Sequence, residues 1–202
     1  MVFDFVFNEK SNDELDRFVK EVLDKINEKS ASARKKMYKR GNGEHEPKGC
    51  FSISYGYCPM DFVSPTKRRV KVEGIPNTYE TNFRTKHPEL LGIFQQFLDL
   101  YCEDDVTADQ VHINKNWLSP KHKDKLNGGD SYIIGLGGYE NGELVVEKED
   151  GDHIIDIHNK LYRFNGNKYT HYTKPFEGTR YSLVFYNNKK HKEKVSHKED
   201  NI

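Results

Sequence analysis

An α+β chain is predicted, with N-terminal helices supporting a jelly roll or sandwich of short strands. Three observations predict it. Two amphipathic stretches with helical spacing lie in the first half. From about residue 109 the pattern changes to short β-like runs. Turn residues punctuate those runs at Asn127-Gly128-Gly129, Asn141-Gly142, Asp150-Gly151, Asn165-Gly166 and Glu177-Gly178. Many short strands at close spacing suit two packed sheets.

The first helix is expected over 11–29. Leu15, Phe18, Val19, Val22, Leu23 and Ile26 share one face, Ser11 or Asn12 is a plausible cap, and Asp13 and Glu14 suit the first turn. Residues 30–49 are basic and loop-like, with Arg34, Lys35, Lys36, Lys39 and Arg40 leading into Gly41-Asn42-Gly43 and Pro47. Residues 50–63 carry strand-like alternation around Phe51, Ile53 and Tyr55. A second basic run, 67–71, follows, then a turn at Pro76-Asn77. Both runs have two readings: solvated loops, or contacts to phosphates. The second helix is expected over 88–102, with Pro88 in its first turn and Leu90, Leu91, Phe94, Phe97, Leu98 and Tyr101 on one side; the acidic stretch from Glu103 ends it. Strands are expected near 109–115, 131–137, 142–147, 153–157, 161–164, 168–173 and 180–186. The organisation is one domain: a supporting region over 1–108, a core over 109–187, and a polar tail over 188–202.

Composition narrows the function. The chain has 202 residues, the length of one domain or a domain with an extension. Aromatic residues at 12% supply large core side chains and exclude disorder despite 32% charged residues. Zero formal net charge gives no global field for a polyanion, so nucleic-acid binding must rest on local patches. Cys50, Cys58 and Cys102 are too few and too scattered for a disulfide framework, which points to an intracellular setting, cytoplasmic or nuclear. Cys50 and Cys58 form at most half a zinc site. Met1 to Asn8 is too short and too acidic for a signal peptide, and no apolar run reaches membrane-spanning length.

One constellation carries chemistry. His122-Lys123-Asp124 puts an imidazole and a carboxylate at i and i+2, on one face of a strand if the segment is extended. His171 follows within Lys168 to Thr173, and Arg180 comes about one strand later, with Ser182 at i+2 from it. Two His and one carboxylate cap one face of iron(II) and leave the other open, although manganese or zinc accept the same ligands. A strand-borne Arg presents a fixed fork to a carboxylate. His112, His153 and His158 are rivals for the third ligand, but none is followed by an Arg and a Ser at comparable spacing.

With these residues the chain resembles the 2-oxoglutarate and iron(II)-dependent dioxygenase superfamily over roughly residues 109–187. Within it, the chain looks most like small nucleic-acid oxygenases of the ten-eleven-translocation and base-J-binding (TET/JBP) type. Asn114 and Asn116 before the His-x-Asp, Gly135 to Leu144, and His171 to Val184 carry that closer likeness. The resemblance implies a double-stranded β-helix core and Fe(II), 2-oxoglutarate and O2 as cofactors. It implies His122, Asp124 and His171 as metal ligands, and Arg180 with Ser182 as anchor for the cosubstrate's distal carboxylate. Asn114, Asn116 and Tyr132 are candidates to hydrogen-bond the keto acid end, with no spacing argument among them. Trp117 reads as a core or rim aromatic, or as a stacking platform for substrate. The implied reaction hydroxylates a C–H bond of a methylated base, 5-methylcytosine or thymine, in nucleic acid. The alternative is a protein side chain (prolyl-type) or a small molecule, because prolyl-hydroxylase-like and AlkB-like enzymes share the core. A binding module with a silent metal site is the reading from another class; a complete ligand set argues against it.

Overall fold

The computed structural model describes residues 1–30, 35–36, 49–59, 70–75, 77–103 and 106–189. Most of the two basic runs, and the tail beyond Lys189, lie outside the described residues. No helix among the described residues is long and apolar enough to cross a membrane.

Helix α1 spans Asn12–Glu21. Ser11 caps it from an extended conformation, its side chain accepting from the Glu14 N–H, and Asp13 and Glu14 complement the positive end. The regular helix is shorter than expected. A 3₁₀ turn, Leu23–Lys25, closes it, and Ile26 is already extended. Ile26 is the last apolar residue of the stretch; Asn27, Glu28 and Lys29 offer nothing further to bury. A short helix α2, Asn82–Lys86, absent from the sequence reading, starts at Thr81, whose hydroxyl accepts from Arg84 N–H. Helix α3 spans Leu90–Tyr101. Its buried face is Leu90, Ile93, Phe94, Phe97, Leu98 and Tyr101, a 3.6-residue stripe. Leu91, expected on that face, falls off the stripe and is exposed, and Ile93 takes its place.

Among the described residues eleven strands follow in order: β1 Phe51–Pro59, β2 Thr78–Glu80, β3 Gln110–Lys115, β4 Ser131–Leu136, β5 Tyr139–Asn141, β6 Leu144–Lys148, β7 Gly151–Ile155, β8 Tyr162–Phe164, β9 Thr170–Thr173, β10 Phe176–Gly178 and β11 Tyr181–Tyr186. They build a six-stranded sheet ordered β2-β1-β3-β11-β4-β8, a three-stranded sheet ordered β7-β6-β9, and the pair β10-β5. All of these strand pairings are antiparallel. The expected strands recur, most with trimmed ends; β6 runs one residue past its expected end, and β7 lies two residues before the expected 153–157. Three short ones, β2, β5 and β10, are not among the expected strands, because three residues are too few to show a period. β1 and β2 join the large sheet, so the N-terminal region supplies strands as well as helices.

Period-2 alternation sorts the large sheet into two faces. Val111 and Ile113 of β3, Ile134 and Leu136 of β4, and Tyr181, Leu183 and Phe185 of β11 join Phe3, Phe5 and Phe7, α1 and α3 in one aromatic-rich core. Phe185 stacks on Phe97 at 5.2 Å between ring centroids. On the other face, Ile133 and Val184 pack with Leu144 and Val146 of β6 and Phe164 of β8, a smaller core between the two sheets. His112, Asn114 and Ser182 occupy the remaining places on that face, buried yet polar.

Candidate metal centre

The segment holding the first two ligands is not the regular strand expected. His122 makes a single antiparallel bridge to His171, with reciprocal N–H to carbonyl bonds of 3.0 Å. The Asp124 N–H then bonds the Gly166 carbonyl at 2.8 Å, and the chain turns at Lys125-Leu126. The physical reason is the next hydrogen bond, Asn127 N–H to the Asp124 carbonyl at 3.0 Å, which folds the segment back after two residues. His171 sits on β9, with Val146 of β6 opposite. The bridge therefore extends the small sheet by one rung and sets the two imidazoles 4.4 Å apart.

The ligand atoms of His122, Asp124 and His171 all lie within 4.8 Å of one another. His122 Nε2 is 3.5 Å from Asp124 Oδ1, and His171 Nε2 is 3.4 Å from Oδ2. The Nδ1 atoms face backbone carbonyls: Pro120 for His122 at 2.7 Å, and Tyr169 for His171 at 3.1 Å. A carbonyl only accepts, so each Nδ1 carries the proton. In the neutral rings the Nε2 lone pairs then meet a carboxylate with no proton between them. Three acceptors converging in this way suit a cation, and a carbonyl accepting from the far nitrogen is the usual way a metal-binding His is held in orientation. Burial pushes the Asp124 pKa up. When the two imidazoles are protonated, their hydrogen bonds and positive charge outweigh it and hold the carboxyl below the usual carboxylate range.

Supporting residues escaped the sequence reading. Asn127 donates from Nδ2 to Asp124 Oδ2 at 3.2 Å and to Ser131 Oγ at 2.9 Å, tying the carboxylate to β4. Asn167 donates to the carbonyls of Asp124 and Lys125. Gly166 lies against the site: a Cβ there would fall 2.8 Å from Asp124 Oδ2 and 3.3 Å from His171 Cε1. Asn127 and Gly166 stand in motifs read only as turns. That signal marks the chain reversal and is silent about what the reversal touches.

All three ligands line a cavity of about 360 Å³ between the sheets. Ile133, Leu144, Phe164 and Val184 supply apolar wall; His112, Asn114, Thr173 and Ser182 supply polar wall. Trp117, 2% exposed, lines it too, so it is both a buried aromatic and a cavity wall. A cavity of similar size beside α3, lined by Tyr55, Tyr57, Arg84 and Phe94, holds no metal-ligand cluster among the described residues.

The other candidates divide. Ser182 and Asn114 line the cavity, and Asn114 Nδ2 donates to Ser182 Oγ at 3.1 Å. Tyr132 does not join them. Its neighbours Ser131 and Ile133 face the triad side, so alternation along β4 turns Tyr132 away, toward Lys10, Tyr101 and Arg163. Asn116 serves the backbone: its Oδ1 accepts from Arg180 N–H at 2.9 Å. Of the rival imidazoles, His112 lies between Ser52 and Ser54, His153 pairs with Asp150, and His158 faces the Gly137 carbonyl. None is in the triad.

Arg180 is 1% exposed and does not line the triad cavity. Its guanidinium lies 5.4 Å from the Tyr139 ring and 5.5 Å from the Phe176 ring, beside Gly142. Its Nε and Nη2 are buried without a hydrogen-bond partner among the described residues. Burial pushes the guanidinium pKa down, and Tyr139 acts the other way. A guanidinium stays charged in proteins, so this is a buried cation without a carboxylate partner among the described residues.

No protein-family model matches the chain, and no curated protein matches it in sequence. Several solved structures are similar. NgTET1 in complex with 5mC DNA has a TM-score of 0.48 and 15% identity, covering 84% of this chain and 74% of its own. A 2OG-Fe(II) oxygenase family oxidoreductase from Burkholderia pseudomallei has a TM-score of 0.42 and 14% identity, covering 92% of this chain and 94% of its own. A Pseudomonas putida prolyl-4-hydroxylase has a TM-score of 0.34 and 18% identity, covering 49% of this chain and 60% of its own. Likenesses this distant leave activity to be argued from the site.

Proposed function

We propose that this chain is an iron(II)- and 2-oxoglutarate-dependent dioxygenase that hydroxylates a C–H bond. The observation that carries the proposal is the triad: two imidazoles with their Nδ1 protons committed to carbonyls, and one carboxylate, converging on a cavity wall. The strand order supports it. β3-β11-β4-β8 on one side and the His122 segment-β9-β6-β7 on the other is an order that supports reading the core as a double-stranded β-helix. Iron, when bound, supplies oxygen activation; the chain supplies the rest. His122, Asp124 and His171 hold the metal, and the apolar wall limits water. Ser182 and Asn114 present polar atoms to the cosubstrate, and Arg180, two residues before Ser182, is the proposed cation for its distal carboxylate.

The proposed substrate is the methyl group of 5-methylcytosine or thymine in nucleic acid, flipped into the cavity. Lys123 and Lys125 line the cavity, and Lys121 lies over the ring of Tyr172, which also lines it. Cations beside an aromatic suit a phosphate backbone and an unstacked base. The test is succinate release from 2-oxoglutarate with Fe(II), with and without 5-methylcytosine-containing DNA, beside a His122→Ala/Asp124→Ala control. Release that rises with methylated DNA and vanishes in the control is expected. Release indifferent to DNA redirects the substrate to RNA, a protein side chain or a small molecule. No release at all removes the dioxygenase reading.

A further inference from the structure

Ser52, Asn114, Ser182 and Gly135 form one cross-strand row through β1, β3, β11 and β4, and Ser54 and His112 lie opposite each other two residues along. Side chains in such rows are close enough to bond. Ser52 Oγ donates to Asn114 Oδ1 at 2.6 Å and lies 2.8 Å from His112 Nε2. A hydroxyl has one proton, and this one goes to Asn114, so His112 Nε2 is the donor to Ser52. His112 Nδ1 faces Ser54 Oγ at 3.1 Å. Asn114 Nδ2 then donates to Ser182 Oγ at 3.1 Å. Every bond runs the same way, and the last proton, on Ser182, has no protein acceptor among the described residues. Ser52, His112, Asn114 and Ser182 are all at most 7% exposed, and buried hydrogen bonds in a chain polarise one another.

We infer that His112, through Ser52 and Asn114, is a positioning residue that sets Ser182 as a hydrogen-bond donor into the cavity and thereby selects a ligand with an acceptor group, a carboxylate above all. Naming 2-oxoglutarate as that carboxylate rests on the function proposed above; the direction of the chain does not. A reversed chain has Ser182 donating to Asn114, and Ser182 then offers only lone pairs to the cavity, which repel a carboxylate. The Nε2–H tautomer of His112 and the amide orientation of Asn114 are thus one choice.

The test has two arms on the full-length protein. Long-range proton–nitrogen correlation of the imidazoles, without metal or cosubstrate, reads the tautomer. A protonated Nε2 on His112 is expected, and a bare Nε2 overturns the inference. Kinetics supply the second arm. Ser52→Ala is expected to raise the KM for 2-oxoglutarate about tenfold, with a smaller change in kcat and unchanged Co(II) affinity. His112→Gln, which keeps a donor near the Nε2 position, is expected to stay within about twofold of the native KM. A native KM in Ser52→Ala overturns the relay while leaving the dioxygenase standing. A native protein that never turns over 2-oxoglutarate removes the cosubstrate, and the tautomer still decides the relay.

Discussion

Replacing Gly166 by Ala isolates the metal site from the fold. The added Cβ would fall 2.8 Å from Asp124 Oδ2, closer than ordinary packing allows, and 3.3 Å from both His171 Cε1 and Phe164 Cε2. Gly166 is not among the glycines held at positive φ, so Ala there meets no backbone strain. The conflict falls on the carboxylate, which must retreat by about half an ångström, the tolerance of a preorganised site. It cannot retreat freely, because Asn127 holds the same oxygen and the Asp124 N–H is bonded to the Gly166 carbonyl. Disturbing a ligand at this level costs about 10–100-fold in metal affinity, which is about 1.4–2.7 kcal/mol. Titration of metal-free protein with Co(II), read by calorimetry, measures it. The melting temperature without metal is expected to stay near native. Gly138→Ala is the control, since a Cβ there meets nothing within 4 Å. Native affinity in a folded Gly166→Ala protein refutes the reasoning, because Asp124 Oδ2 would then not be where the metal binds.

Three further outcomes are expected. Asn127→Ala removes the donor to Asp124 Oδ2 and Ser131 Oγ; Co(II) affinity should fall about tenfold, and urea unfolding should show a loss of about 1–3 kcal/mol. Arg180→Met removes a buried cation that lacks a carboxylate partner among the described residues; metal-free stability should hold or rise, while the KM for 2-oxoglutarate rises roughly 10–100-fold. A fall in stability with an unchanged KM would make Arg180 a structural residue. Burial raises the pKa of Tyr55 and of Tyr181, and for Tyr181 the hydrogen bond to Asp24 adds to it. A raised pKa contributes stability that is present below the ordinary tyrosine value of about 10 and is lost as pH rises above it. Denaturant midpoints should therefore fall above that pH, and Tyr181→Phe should shallow the fall.

The legible and the illegible parts of this chain differ in physical kind. α3 and the large-sheet strands follow from periodicity, because a buried face repeats the same demand every 2 or 3.6 residues. The candidate metal triad was legible for a different reason. Few residue types donate a lone pair to iron, and the His-x-Asp spacing with Arg180 and Ser182 after His171 singles out His122, Asp124 and His171 among nine His. Nothing in residue type separates Asn127 from any other turn Asn, or Gly166 from any other turn Gly. Their roles arise when the bridge between His122 and His171 brings the two turns onto one carboxylate. Ser52 is the extreme case. It belongs to a strand in the supporting region, and only the pairing of β1 with β3 puts it opposite Asn114. Tyr132 fails in the complementary way: its chemistry suited the site, and the pleat of β4 turned it to the other face. Ligand identity is thus written in single residues, whereas ligand orientation is written in the register between strands, which a sequence read along its length does not expose.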